Sequence, residues 1–253
     1  GRTRWTLSTP ASWRTAAGGL GDPGPRAALL PSLTPLAADF LPDTSHRLVI
    51  LPARSASAAA GAELQALRGY KRLCDKLLPA LRARSHLFNL IHRHRHNCSV
   101  AICRGDQLLG GATFRLIRKE SQCHLVLEVL LLAVAQQPGV CGRGHGSRIV
   151  NFLKALLRLH GRAERAVPLL LTQCDIGHVA RNFWSRQRLR AGREARELLG
   201  ALAAWDPMRG SHTGFIVYEH TLPMLCDVSA VDWRCDERAS ARAQEVEEEE
   251  EED

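Results

Sequence analysis

One carboxylate, Glu128, interrupts the aliphatic run HLVLEVLLLAV, and the chain then turns through QQPGVC into the glycine-bearing stretch GRGHGSRIVNFLK. Both pieces could do chemistry. A carboxyl flanked by Leu125, Val126, Leu127, Val129 and Leu130 loses water when the strand is buried, which raises its pKa and suits it to accept a proton near neutral pH. A glycine-rich helix start exposes backbone N–H groups that have no intrahelical partner, at the positive end of the helix dipole, and so forms an anion site. Together they suggest a phosphate-bearing ligand beside a buried acid or base. Each also has a plain structural explanation: a glutamate near a strand end facing water, and an ordinary glycine-rich connection from strand to helix.

These residues need a strand and a helix to hold them, and the chain supplies both. The apolar run 124–134 reads as a buried central strand, and the residues from about Ser147 to His160 as a helix. A short strand, RLVILP at 47–52, comes earlier. It is followed by a helix whose Leu64, Leu67, Leu73, Leu77 and Leu78 recur at helical spacing up to Pro79, with a second, shorter helix beyond. CSVAIC at 98–103 and LLGGATFRLIR at 108–118 form a hairpin across RGDQ, and SQC at 121–123 links the second of them tightly to the Glu128 strand. AVPLLLTQC at 166–174 is a further apolar strand, set parallel to the Glu128 strand by the helix between them. A helix over GHVARNFWSRQRL at 177–189, a loop or short helix within 190–210, and a late strand HTGFIVYEH complete the order. The expected fold class is α/β, a mixed sheet flanked by helices.

Composition sets the outer bounds. The 253 residues are 45% hydrophobic, and no apolar run approaches the roughly 20 residues of a membrane span. The formal charge is +8, yet eight acids lie in the last nine residues, EVEEEEEED, leaving 34 basic against 18 acidic residues elsewhere. A basic body invites nucleic acid, acidic lipid or an anionic cofactor, while the acidic run invites basic partners or folds back over the body. Eight scattered cysteines without a CxxC pair favour reduced thiols. HRHRH at 92–96 has no cysteine or carboxylate at zinc spacing, so a solvated basic loop is expected there and no metal. Residues 1–41 have Gly and Pro punctuation without a period and are expected to be a disordered leader; 42–230 are expected to fold as one domain, and 231–253 to be a disordered acidic tail.

The motifs EVLLLAV, GSRIVNFLK, LLLTQCD, ARNFWSRQRL and YEHTLPMLCD, with GGATFRL and LRGYKRLCDKLLP upstream, stand in consistent order over about residues 47–228. In that order they resemble the GNAT acetyltransferase superfamily, and within it the nuclear histone lysine acetyltransferases of the general-control and PCAF type. The superfamily signature, Gln or Arg, two intervening residues, then Gly-x-Gly/Ala, is matched at Gly144 and Gly146. Its first position falls on Cys141, and Arg188 and Leu189 stand where the family commonly has Gly and an aromatic residue.

The resemblance implies a GNAT fold whose sheet splays between the fourth and fifth strands. It implies acetyl transfer from acetyl-CoA to a protein lysine by direct attack in a ternary complex, without metal and without a thiol intermediate at Cys141. Glu128 would be the general base and the Leu132 amide would stabilise the oxyanion. Leu132, Ala133 and Val134 would hydrogen-bond the pantetheine arm. The backbone of Cys141, Gly142, Arg143, Gly144, His145, Gly146 and Ser147 would hold the pyrophosphate, and Val179 would stand at a further cofactor contact. Histone tails or other lysine-bearing proteins, adaptor subunits of a chromatin-modifying complex and a nuclear location are implied as well, and no membrane partner; direct nucleic-acid binding is left open. The rival readings are a GNAT enzyme for another amine, such as a polyamine or a protein N-terminus, and a non-catalytic scaffold.

Overall fold

The computed structural model describes residues 45–52, 61–78, 91, 97–119, 123–138, 140–203 and 221–229. Seven strands form one sheet: β1 (His46–Pro52), β2 (Asn97–Arg104), β3 (Gln107–Lys119), β4 (His124–Val134), β5 (Val167–Asp175), β6 (Arg190–Ala191) and β7 (Thr221–Asp227), in the spatial order β1-β2-β3-β4-β5-β7-β6. β1 to β4 are an antiparallel meander. Gly105, at φ 55°, and Asp106 make the tight turn from β2 to β3. β4 and β5 run parallel, because the helix between them, α2 (His145–Glu164), carries the chain back across the sheet before β5 begins.

Helices cover both faces. On one, Leu125, Leu127 and Val129 of β4 and Phe114 of β3 pack against Phe152 and Leu156 of α2. On the other, α1 (Gly61–Leu77) sets Leu67, Tyr70 and Cys74 against Leu131 and Ala133 of β4. The same face is continued by α4 (Arg193–Ala203), whose Ala195, Leu198 and Leu199 meet Val126, Leu169 and Leu171. Burying each such Leu or Phe stabilises the fold by roughly 1.5–3 kcal/mol, so these contacts fix which face each strand residue shows. Tyr70 lies so close to the sheet that a Cβ on Gly111 would come within 2.6 Å of its ring.

The β3–β4 ladder contains a register shift. Phe114 pairs with Val129 but Thr113 pairs with Leu131, leaving Leu130 as an extra residue in β4. Between α2 and α3 (His178–Arg186) the link is polar. Lys154, 1% exposed, donates from Nζ to the Gln187 carbonyl at 2.8 Å, placing a cation at the C-terminal end of α3.

Several expectations change. α2 is longer than expected at both ends, since Gly144 starts it without a side-chain cap and it runs on to Glu164. Residues 193–203 form a full helix. The last described strand is TLPMLCD at 221–227, directly after the segment HTGFIVYEH where the late strand was expected. Pro223 is tolerated because it pairs with Gln173 on one side, whereas β6 meets β7 only at Met224 and Leu225. The HTGFIVYEH strand, the second helix after Pro79, HRHRH and the 1–41 leader lie outside the described residues, as does the acidic run.

Candidate active site

Glu128 is 1% exposed and points to the α1/α4 face of the sheet, between Val126 under α4 and Leu131 and Ala133 under α1. It is not alone there. Arg115, directly opposite on β3, donates from Nε to Oε2 at 2.6 Å, and its Nη2 is 2.6 Å from the same oxygen. Gln173 of β5 donates to Oε1 at 3.3 Å and accepts from Thr221 of β7 at 3.5 Å. Burial raises the Glu128 pKa above the usual carboxylate value, while the Arg115 charge and the hydrogen bonds from Arg115 and Gln173 restrain that rise. The balance gives a carboxylate more basic than a solvated one and held in a single orientation. Beside it Ser99, Thr113 and Tyr70 continue a polar track: Ser99 and Thr113 hydroxyls lie 3.0 Å apart, and Thr113 donates to Tyr70 at 3.4 Å.

Next to Glu128 the sheet opens. β4 and β5 pair only as far as Val129 and Thr172, where the Thr172 hydroxyl donates to the Val129 carbonyl at 3.2 Å. Beyond that point no strand among the described residues pairs with this edge of β4. Ala135 donates its N–H to the Leu109 carbonyl of β3, so alternation along the strand turns the N–H groups of Val134 and Leu132 the other way, into the opening, and that of Ala133 towards β3. Leu132 and Val134 therefore present amides to a ligand lying along the edge. Ala133 is the spacer between them.

The turn into α2 has the backbone geometry that an anion site needs. Gly142 and Gly144 have φ of 83° and 70°, conformations that L side chains rarely adopt, and Gly144 is the N-cap of α2. The first intrahelical bond is from Arg148 to the Gly144 carbonyl, so the N–H groups of His145, Gly146 and Ser147 precede the helical ladder. Cys141 differs: its N–H already donates to the Gln137 carbonyl at 3.1 Å, and the cradle begins at Gly142. A Cβ on Gly146 would lie 3.2 Å from the Phe183 ring and 3.3 Å from Val134, so this glycine lets α3 and β4 close on the turn. The Ser147 hydroxyl accepts from Gln187 at 2.9 Å.

The remaining expected positions divide. Arg143 is exposed, and its carbonyl accepts from Arg148 at 2.9 Å. The His145 side chain is 4% exposed and its ring centroid lies 6.1 Å from that of His46; burial and the charges of Arg148, His46, Arg104 and Arg143 push its pKa down to about 4. It is thus a neutral, inward-facing group, and only its backbone N–H belongs to the cradle. Val179 lies on α3 and is 79% exposed, so no described neighbour buries it. Trp184 is a core residue at 6% exposure. Free amides at a positive helix end, ringed by basic side chains, fit a pyrophosphate, and the open β4 edge fits an amide-bearing arm.

Sequence reasoning gave no role to Arg115 or Gln173. A signal for Arg115 existed. A tight link, as the sequence reads, implies that His124 lies opposite Lys119, as it does, and counting back from that pair sets Arg115 opposite Glu128. Gln173 had no comparable signal, because a parallel register after a 20-residue helix is not fixed by a local turn. Among the described residues no group of three or more His, Cys, Asp or Glu could hold a metal ion, and no helix is long and apolar enough to cross a membrane.

No protein-family model and no curated protein matches the chain in sequence. Solved structures do match. Tetrahymena GCN5 superposes with a TM-score of 0.50 at 22% identity, covering 74% of this chain and 99% of that one. This chain has the GNAT acyltransferase fold. A further GNAT-fold match is Arabidopsis thaliana Naa50 in complex with the bisubstrate analogue CoA-Ac-MVNAL, at 13% identity and a TM-score of 0.39, covering 72% of this chain and 97% of that one.

Proposed function

We propose that this GNAT-fold chain is an acetyl-CoA-dependent N-acetyltransferase whose acceptor is a protein lysine, in the first instance on a histone tail. The observation that carries the reading is the placement of Glu128: a buried, oriented carboxylate of raised pKa, four residues before Leu132, the first outward-facing amide of the open β4 edge. A lysine ammonium, with a reference pKa of ~10.4, must lose a proton before its nitrogen attacks a thioester. Glu128 takes that proton. The Leu132 N–H meets the oxygen on which charge develops, the Leu132 and Val134 amides align the pantetheine arm, and the amides from Gly142 to Ser147 hold the pyrophosphate. Acetyl-CoA, when bound, supplies the activated acyl group. Arg115 and Gln173 keep the carboxylate aimed while the proton moves.

The choice of lysine rests on the ordered motifs GGATFRL, EVLLLAV, GSRIVNFLK and LLLTQCD, which resemble the histone-modifying branch of the superfamily. Partners in a chromatin-modifying complex and a nuclear location follow from the same reading. Calorimetry with acetyl-CoA and mass spectrometry of histone peptides incubated with the protein test it. Saturable coenzyme binding and acetylated lysine are expected. No binding leaves the scaffold reading; binding with acetylation only of peptide N-termini or polyamines replaces the lysine assignment.

A further inference from the structure

Two buried polar residues, Lys154 and Gln187, stand behind the glycine turn, 1% and 9% exposed. Burying a lysine is costly unless its charge is well held, and Nζ here donates to the Gln187 carbonyl at 2.8 Å. That carbonyl lies at the C-terminal end of α3, where the helix dipole favours a cation. Gln187 is also the cap of α3. Its N–H donates to the Phe183 carbonyl, and the chain turns away at Arg188, whose backbone is left-handed at φ 62°. Residue 187 is thus fixed through both its N–H and its carbonyl.

Its side chain then reaches the first turn of α2, donating from Nε2 to the Ser147 hydroxyl oxygen at 2.9 Å. Phe183, one turn earlier on α3, lies over Gly146, where a Cβ would be 3.2 Å from the ring. α3 therefore meets two successive residues of the turn, Gly146 by packing and Ser147 by a hydrogen bond.

That bond has a direction. A hydroxyl carries one proton and two lone pairs, so Ser147, in accepting from Gln187, keeps its own proton to give. A serine inside a helix can give that proton to the carbonyl four residues back. Here that is the Arg143 carbonyl, which already accepts from Arg148 at 2.9 Å. Among the described residues the Ser147 hydroxyl donates to no acceptor. It is half-buried, on the helix turn whose first N–H groups precede the intrahelical ladder.

We propose that Gln187, anchored by Lys154, is a positioning residue for the coenzyme: it turns the Ser147 hydroxyl so that its proton meets a diphosphate oxygen in the cradle. The proposal rests on the acetyl-CoA reading above and adds a side-chain donor whose direction is set from α3. Donation from a hydroxyl to an anionic oxygen is charge-assisted and stronger than between neutral groups, so its aim bears on affinity.

Calorimetry with CoA on the full chain, and phosphorus NMR of the bound coenzyme, test it. Ser147→Ala puts a good helix former in the first turn, so folding is kept, and should weaken CoA about tenfold. Gln187→Met keeps the bulk but not the donor and should weaken it about threefold. In the double variant Gln187→Met should cost nothing further, because the hydroxyl it turns is gone. Ser147→Thr keeps the hydroxyl and should bind as wild type does. The two weakened single variants should move the diphosphate resonances and leave the ribose phosphate resonance in place. Wild-type affinity with unmoved diphosphate resonances in Gln187→Met overturns the proposal, as does a further loss when Gln187→Met is added to Ser147→Ala, which would make Gln187 a packing residue alone. A wild type that binds no CoA sinks the coenzyme reading itself, a result that calorimetry separates from these two.

Discussion

Arg115 and Glu128 face each other across the β3–β4 ladder with both guanidinium contacts at 2.6 Å and side chains only 6% and 1% exposed. A pair this deep has two consequences. Removing one partner strands a charge in the core, whereas removing both strands nothing. Arg115→Met and Glu128→Gln should each cost about 3–5 kcal/mol, and the double variant should lie within about 1 kcal/mol of wild type; urea denaturation of the four proteins checks it. The double variant also separates catalysis from folding, because it should fold and bind acetyl-CoA yet transfer no acetyl group.

The pH dependence of kcat/KM should carry an acid limb set by Glu128, with its inflection above the usual carboxylate range because burial outweighs Arg115. Activity is present above that inflection and lost as the carboxylate protonates below it. Gln173→Ala removes a hydrogen bond to the ionised form, so the inflection should move upward. A downward shift would mean that Gln173 does not contact the working carboxylate.

The cradle is tested at Gly144. Alanine there meets no neighbouring atom but must sit at φ 70°, a strain of about 1–2 kcal/mol. Gly144→Ala should weaken acetyl-CoA binding by about tenfold in calorimetry, through the displaced amides alone, with the peptide KM little changed.

Stability should fall between pH 6.5 and about 4 as His145 meets protons. Its folded pKa is about 4 against about 6.5 unfolded, so through that window the unfolded chain binds the proton and the folded one does not. The group contributes nothing above pH 6.5. His145→Gln should flatten this limb of a thermal-stability profile, and the wild-type ring should stay neutral by NMR at pH 6.

Arg188→Gly should raise stability by about 0.5–1 kcal/mol, since glycine adopts the left-handed position without strain. Thermal melts of the variant beside wild type measure this.

The meander, the crossover and the glycine turn were legible because each is written locally: the apolar runs of β2 and β3 on either side of RGDQ, the two-residue turn at Gly105 and Asp106, the unbroken aliphatics of β4 and β5. The same logic located Glu128. It did not reveal that Glu128 is paired, because that follows from a cross-strand register, nor that Gln173 approaches from β5, because the parallel register is set by α2 packing. The late strand was expected on HTGFIVYEH, and β7 lies directly after it, where Pro223 reads as a strand breaker unless the sheet position is known. Cys141 looked like part of the cradle because it fills the first signature position, and only the hydrogen bond to Gln137 shows that its amide is spent.

The extra residue at Leu130 gives β4 two phases. Before it, odd-numbered side chains such as Leu127 and Val129 point to α2; after it, odd-numbered Leu131 and Ala133 point to α1 and Leu132 takes the α2 side. Glu128 belongs to the first phase and the outward amides of Leu132 and Val134 to the second. Deleting Leu130 would merge the phases, turning Leu131 and Ala133 out of the α1 core and swinging the Leu132 amide away from the opening. The turn at 135–144 can change length at little cost to this arrangement; β4 cannot change by one residue.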